Sequence, residues 1–156
     1  MEKTIVNVIQ AMLAPGIMIS ACGLLLLGMN NKYSIVVARI RALTDEKRKL
    51  ITPPKHGNLI LDEEHRLYNI NMQIDLFAFR IVLVKKAVTS YYIAVAFYIF
   101  SSLLIGLDYL SAQNLIQTMA LIFFLAGMIS VIVGVYFAAM EIKKGLEIVQ
   151  IEITKV

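Results

Sequence analysis

The chain has 156 residues, 59% of them apolar and only 17% charged, with a mean hydropathy of +0.75. These values fall outside ordinary soluble globular usage and place the chain in the membrane class. In a soluble protein the net charge of +4 would raise nucleic acid as a partner, but here the basic residues gather beside long uncharged runs, which speaks for topology and against nucleic acid.

No Asp, Glu, Lys, Arg or His occurs in residues 4–31, 87–107 or 109–140. Each run supplies the roughly 20 residues with which a helix crosses about 30 Å of hydrocarbon. The first run, within residues 1–29, is too long for a cleavable signal peptide, has only Lys3 as a basic lead and lacks a small-x-small cleavage site. It is therefore expected to stay in the mature protein. Pro15, within Ala14-Pro15-Gly16, predicts a break in this run. Either one spanning helix kinks there, or residues 4–13 form a separate segment, crossing the membrane or lying on it, and Pro15 opens the span at its first turn. Cys22, the single cysteine, reads as a small packing residue with no disulfide partner in the chain. Gly16, Ser20, Gly23 and Gly28 are small enough for close helix approach.

Polar residues mark the ends of this span: Asn7 and Gln10 in its outer part, Ser20 in its middle, Asn30 and Asn31 at its inner exit. Around an oligomer axis they would make polar rings at two mouths, with the apolar stretch 24–27 between them, the pattern of a gated pore. Interhelical hydrogen bonding or interfacial placement is the competing reading.

Residues 30–86 carry helical spacing. Tyr33, Val36, Ile40, Leu43, Lys47 and Leu50 alternate steps of three and four, an apolar seam interrupted by Lys47, and Leu67, Ile70, Ile74, Phe77, Ile81, Val84 and Val88 repeat it without interruption. Between them Pro53, Pro54, Gly57 and Asn58 predict a turn at about 52–59. The expectation is an antiparallel helical hairpin in the cytoplasm, each arm about 30 Å long at 1.5 Å per residue. Met72, Leu76, Phe79 and Leu83 form a second apolar row on the second arm. A helix apolar on two sides is normally covered on two sides, so these four are candidates for a homo-oligomer interface; the bilayer surface or a wider contact with the first arm would also cover them.

The second span is read at 87–107 and the third at 114–140, where Asn114, Gln117 and Thr118 open the helix and Ser130, Gly134 and Ala138 make a small-x-x-x-small packing row. Residues 141–156 continue as a short amphipathic helix. Apart from Lys3 at the N-terminus, the Lys and Arg residues lie between spans one and two and after span three, while the link at 108–113 has none. By the positive-inside rule the N-terminus is outside and the C-terminus cytoplasmic.

The segment 13–43 contains Ala14-Pro15, Asn31-Lys32-Tyr33 and Arg39-Ile40-Arg41-Ala42-Leu43. In these it resembles a prokaryotic membrane family known as a domain of unknown function, number 2721. The stretch 125–137, followed by Glu141-Ile142-Lys143, is similar to the family's last helix, so the resemblance covers nearly the whole chain. Where the family pattern has an acidic residue before Arg-Ile-Arg, this chain has Ala38, so no carboxylate role carries over to that position. The resemblance implies a location in the prokaryotic cytoplasmic membrane and no established activity.

No nucleophile with a base, no metal cluster and no phosphate loop stands out, so neither an enzyme nor a cofactor is expected. Glu64 and His65, with Asp62 and Glu63 and with His56 across the turn, are weak metal candidates. Acidic residues in a first helical turn are what an ordinary helix start looks like. The run Lys47-Arg48-Lys49 reads as a solvated helix end, or as a site for anionic lipid headgroups or an acidic partner. The fold expected is an all-α membrane protein with three transmembrane helices and a long cytoplasmic hairpin. The function expected is a homo-oligomeric ion channel lined by helix 1 and gated by the hairpins. The alternative is a non-conducting scaffold or stator-like subunit that binds another membrane protein, although no carboxylate lies within any of the three spans as read.

Overall fold

The computed structural model describes residues 5–51, 60–111 and 114–154, all of them helical. The helices are α1 (Ile5–Ile51), α2 (Ile60–Ser111) and α3 (Asn114–Thr154). The chain is thus all-α, with three helices long and apolar enough to cross a membrane. The turn expected at 52–59, with His56, lies outside the described residues. At 47 residues α1 is about 70 Å long, more than twice the thickness of a bilayer's hydrocarbon.

Of the readings of Pro15, a separate segment 4–13 is corrected: α1 runs as one helix from Ile5 through Pro15 to Ile51. A proline inside a helix costs one hydrogen bond, which long apolar helices tolerate when neighbours cover the site, and Pro15 is buried.

The reason α1 holds together as a packing unit lies in its periodicity. Its buried residues are Pro15, Cys22, Met29, Val36 and Leu43, one every seven positions with no drift over four heptads. A strict seven-residue repeat keeps one stripe facing a partner along the whole helix. That partner is α2. Cys22 packs with Ala94 and Tyr98, Met29 with Val84, Ala87 and Tyr91, and Glu46 meets Arg66, so the contacts climb α1 as they descend α2. The expected seam is occupied at Val36, Leu43, Ile70 and Val84, which are buried, and at Ile40, Lys47 and Leu50, which are half-buried. Tyr33 departs from it and faces outward, because Lys32 beside it turns toward the other helices.

The interface of α2 with α3 is built from tyrosines set on glycines. Tyr91 lies over Gly134 and Tyr98 over Gly127, so closely that a Cβ on either glycine would stand 2.6 or 2.7 Å from a ring carbon. Around them Ser130 Oγ donates to the Ser90 carbonyl (2.8 Å), Ser101 Oγ to the Ala120 carbonyl (2.9 Å), and the Tyr98 and Phe124 rings meet at 5.6 Å. The small row Ser130, Gly134 and Ala138 therefore serves packing within the chain. Gly16 and Gly23, by contrast, are exposed in the protomer, and a Cβ there, or at Gly28, would meet nothing within 4 Å. Leu83 is corrected as an oligomer contact, since it is buried within the chain, whereas Met72 and Phe79 are exposed and Leu76 is half-buried. α2 is the central helix; α1 and α3 scarcely touch.

Replacing Gly134 or Gly127 by Ala forces a buried tyrosine ring to move and is expected to cost about 1–3 kcal/mol, as overpacking does. Gly23→Ala, in open space, is expected to leave stability unchanged or slightly raised. Thermal unfolding of the three variants in one detergent, followed by circular dichroism, checks this ranking.

Candidate functional site

The polar chemistry of the molecule sits at the two ends of this apolar unit and along the uncovered side of α1. At one end Glu141 follows Gly127 and Gly134 at seven-residue intervals, so α3 presents it toward α2 at the point where the uncharged run 109–140 ends. Arg80 precedes Val84 by one turn on α2, and Lys32 follows Met29 by one turn on α1, so both stand at the continuation of the packed stripes. The three side chains meet. Arg80 donates from Nη2 (2.6 Å) and Nε (3.1 Å) to Oε1 of Glu141, and Lys32 Nζ donates to Oε2 (3.1 Å). The Glu141 side chain is 1% exposed, Arg80 22% and Lys32 41%.

The setting is shaped for the guanidinium. Gly145, one turn beyond Glu141, leaves room for it, since a Cβ there would come within 3.2 Å of Arg80 Cζ, and the Phe77 ring lies 5.6 Å from the same carbon. Lys86 stands 5.5 Å from the Phe137 ring centroid, and this cation–aromatic contact, unlike that of Arg80 with Phe77 within α2, joins α2 to α3. The trio joins one residue from each helix and supplies a link between α1 and α3, which otherwise share little surface. Nothing in the sequence reading singled out Glu141. Its signal was the heptad it shares with Gly127 and Gly134.

At the other end the three helices enclose a cleft of about 540 Å³. Ala11, Ala14 and Pro15 border it from α1, Ser101, Ile105 and Asp108 from α2, and Gln117, Thr118, Ala120, Leu121 and Phe124 from α3. The Tyr98 ring supports Phe124 from behind, and its buried hydroxyl finds no hydrogen-bond partner among the described residues. Asp108 had served only to delimit two uncharged runs, but the fold places it with two of the polar residues that open α3.

Asn7, Gln10, Ser20, Asn30 and Asn31 are all exposed, on parts of α1 that neither α2 nor α3 covers. Asn30, Asn31 and Ser34 border a shallow groove with Leu24, Leu27 and Gly28, and Ser20 donates weakly to its own helix at the Gly16 carbonyl (3.3 Å). The fold does not bring these five together within one protomer. Glu64 and His65 are exposed, and among the described residues no three His, Cys, Asp or Glu side chains form a metal-binding group. Arg66 forks onto Glu46 Oε1 at 2.6 and 3.1 Å in an exposed pair of the kind worth about 0–1 kcal/mol.

Fold and site together define a class: a helical chain with three potential membrane-crossing helices, locked by one buried carboxylate shared between two cations. The chain belongs to the family described as Protein of unknown function (DUF2721), whose model matches residues 12–151. No curated protein and no solved structure matches it.

Removing Glu141 leaves Arg80 with an unanswered, largely buried charge, so Glu141→Ala is expected to cost about 3–5 kcal/mol. Lys32→Met, on the more exposed partner, is expected to cost less than about 1 kcal/mol. Arg80→Met combined with Glu141→Met is expected to recover most of the loss, which detergent denaturation curves of the variants measure.

Proposed function

We propose that this chain is a homo-oligomeric membrane channel in which copies of α1 surround a conducting path. The observation that carries the reading is the division of labour on α1. One heptad stripe is buried against α2, while Asn7, Gln10, Ser20, Asn30 and Asn31 and the open glycines 16, 23 and 28 remain on uncovered surface. Amides at membrane depth seek partners or water, and small residues admit a second helix backbone closely. Copies of α1 packed through their glycines would gain both, with polar residues at each mouth and the 24–27 stretch as an apolar constriction.

In this reading the apolar halves of the helices cross the prokaryotic cytoplasmic membrane with the N-terminus outside, in line with the basic residues at 32–86 and 143–155. The remaining halves of α1 and α2 project into the cytoplasm as an antiparallel hairpin. There the exposed Met72 and Phe79 meet neighbouring copies, and Arg48 and Lys49 end the first arm. No other protein is required for assembly.

The test joins mass measurement in nanodiscs with ion flux into liposomes. A closed oligomer that conducts, with flux cut at least about tenfold by Gln10→Leu or Asn31→Leu at unchanged oligomeric state, is the expected result, the scale following from losing a polar ring worth about 1.4 kcal/mol. A monomer, or an oligomer sealed to sodium, potassium and chloride alike, sinks the channel and leaves a scaffold that holds another membrane protein.

A further inference from the structure

The uncharged runs end at residue 31 on α1, begin at residue 87 on α2 and end at residue 140 on α3, and the fold brings these three ends to one level. Met29 packs with Ala87, Phe137 and Ala138 lie against the same cluster, and Lys32 and Arg80 meet on Glu141 just beyond it. Three exposed tyrosines stand at this height, one from each helix. Tyr92 follows the Tyr91 that packs on Gly134, Tyr136 lies two residues beyond that glycine, and Tyr33 one turn beyond Met29. Tyrosines gathered where apolar helix gives way to charge are the mark of the headgroup level of a bilayer.

Charge at this level has one sign in excess. Within two helical turns of the three ends, about 10 Å, the chain carries six basic residues, Lys32, Arg80, Lys85, Lys86, Lys143 and Lys144, and two acidic ones, Glu141 and Glu147, a surplus of four. Farther out, Arg39 and Arg41 on α1 and Asp75 on α2 leave the sign unchanged. Glu141 is buried and already receives Arg80 and Lys32, whereas Lys85, Lys86 and Lys143 are exposed. On the apolar side of the tier Ile93, Ile129 and Ile132 are exposed as well.

We propose that this tier is a docking surface for anionic phospholipid, with Lys85, Lys86 and Lys143 toward the headgroup and the three isoleucines toward the acyl chains. A zwitterionic headgroup carries its own cation beside the phosphate and gains little from more. A headgroup of net negative charge gains from each lysine at the surface. A soluble phosphate would leave the apolar side of the tier unused. The proposal rests on the membrane placement given above and is independent of conduction.

The full chain is reconstituted in phosphatidylcholine vesicles, with flotation checking insertion. Electron spin resonance of trace chain-labelled phosphatidylglycerol or phosphatidylcholine then measures which lipid the protein surface holds. Phosphatidylglycerol is expected to be preferred about fivefold, the scale of one basic contact at a membrane surface. Lys85→Gln/Lys86→Gln/Lys143→Gln is expected to remove the preference, and Lys85→Gln/Lys143→Gln, which keeps the contact of Lys86 with Phe137, to remove most of it. An equal loss of charge more than about 20 Å farther along α1, Lys47→Gln/Arg48→Gln/Lys49→Gln, is expected to leave it intact. Glycerol 3-phosphate in solution is expected not to displace the lipid. Circular dichroism qualifies each variant as folded, and either tier variant suffices for the comparison. The proposal is overturned if the inserted wild-type chain holds both lipids alike, or if the folded tier variants keep the preference. It is also overturned if the distal variant abolishes the preference equally, or if glycerol 3-phosphate does, since the surface then takes a soluble anion. A chain that does not float with the vesicles overturns the membrane placement and the proposal with it, whereas an inserted chain without preference overturns the proposal alone.

Discussion

One buried carboxylate holds the arrangement of the three helices in place. Glu141 receives Arg80 from α2 and Lys32 from α1, and so reaches across the central helix to join two outer ones that barely meet. Its importance lies less in net energy, since a buried ion pair recovers little more than its own desolvation, than in register. The apolar seams are nearly self-similar: Tyr91 on Gly134 and Tyr98 on Gly127 are the same contact repeated seven residues apart on each helix. A slip by one heptad would still seat one tyrosine on a glycine, the other falling on Ala120 or Glu141. A slip of that kind would carry Glu141 about 10 Å from Arg80 at 1.5 Å per residue and strand a charge in an apolar setting, so the carboxylate selects one alignment.

The placement of small residues shows the same economy. Those of α3, at Gly127, Ser130 and Gly134, are consumed inside the chain, two under tyrosine rings and one donating to the Ser90 carbonyl. At those of α1, Gly16, Gly23 and Gly28, an added Cβ would meet nothing within 4 Å. Backbone exposed at three glycines carries the conformational cost of glycine with no packing return within the protomer. A second helix laid on α1 would supply that return, which is why the proposed assembly is centred there and not on α3.

Much of this was legible before any coordinates. The uncharged runs identify three helices that could span a membrane, and the three-and-four spacing at 36–50 and 67–88 identifies residues that pack, because both signals are local and repetitive. Three features were not. Pro15 left open a kink within one helix or a boundary, because its local effect is to break helices, whereas its place in the series with Cys22, Met29, Val36 and Leu43 sets it inside one. Glu141 looked like the start of a short amphipathic continuation; its partners lie 61 and 109 residues away, beyond the reach of any periodicity. Leu83 scored as a surface row because helical spacing alone does not say how wide a face the neighbouring helices cover.

The two ends of the unit differ in how tightly they hold the helices together, and that difference bears on the proposed assembly. At Glu141 the negative charge is closed within the chain by two cations and the three helices are held together. At the other end the cleft separates the helices, bordered by Ala11, Ala14 and Pro15 of α1 and by Asp108 of α2. Since helices bend most easily about a missing hydrogen bond, the segment of α1 before Pro15 is the part best placed to move while the remote end stays clamped. In an assembly lined by α1, that segment would carry Asn7 and Gln10, the outer ring of amides, with it.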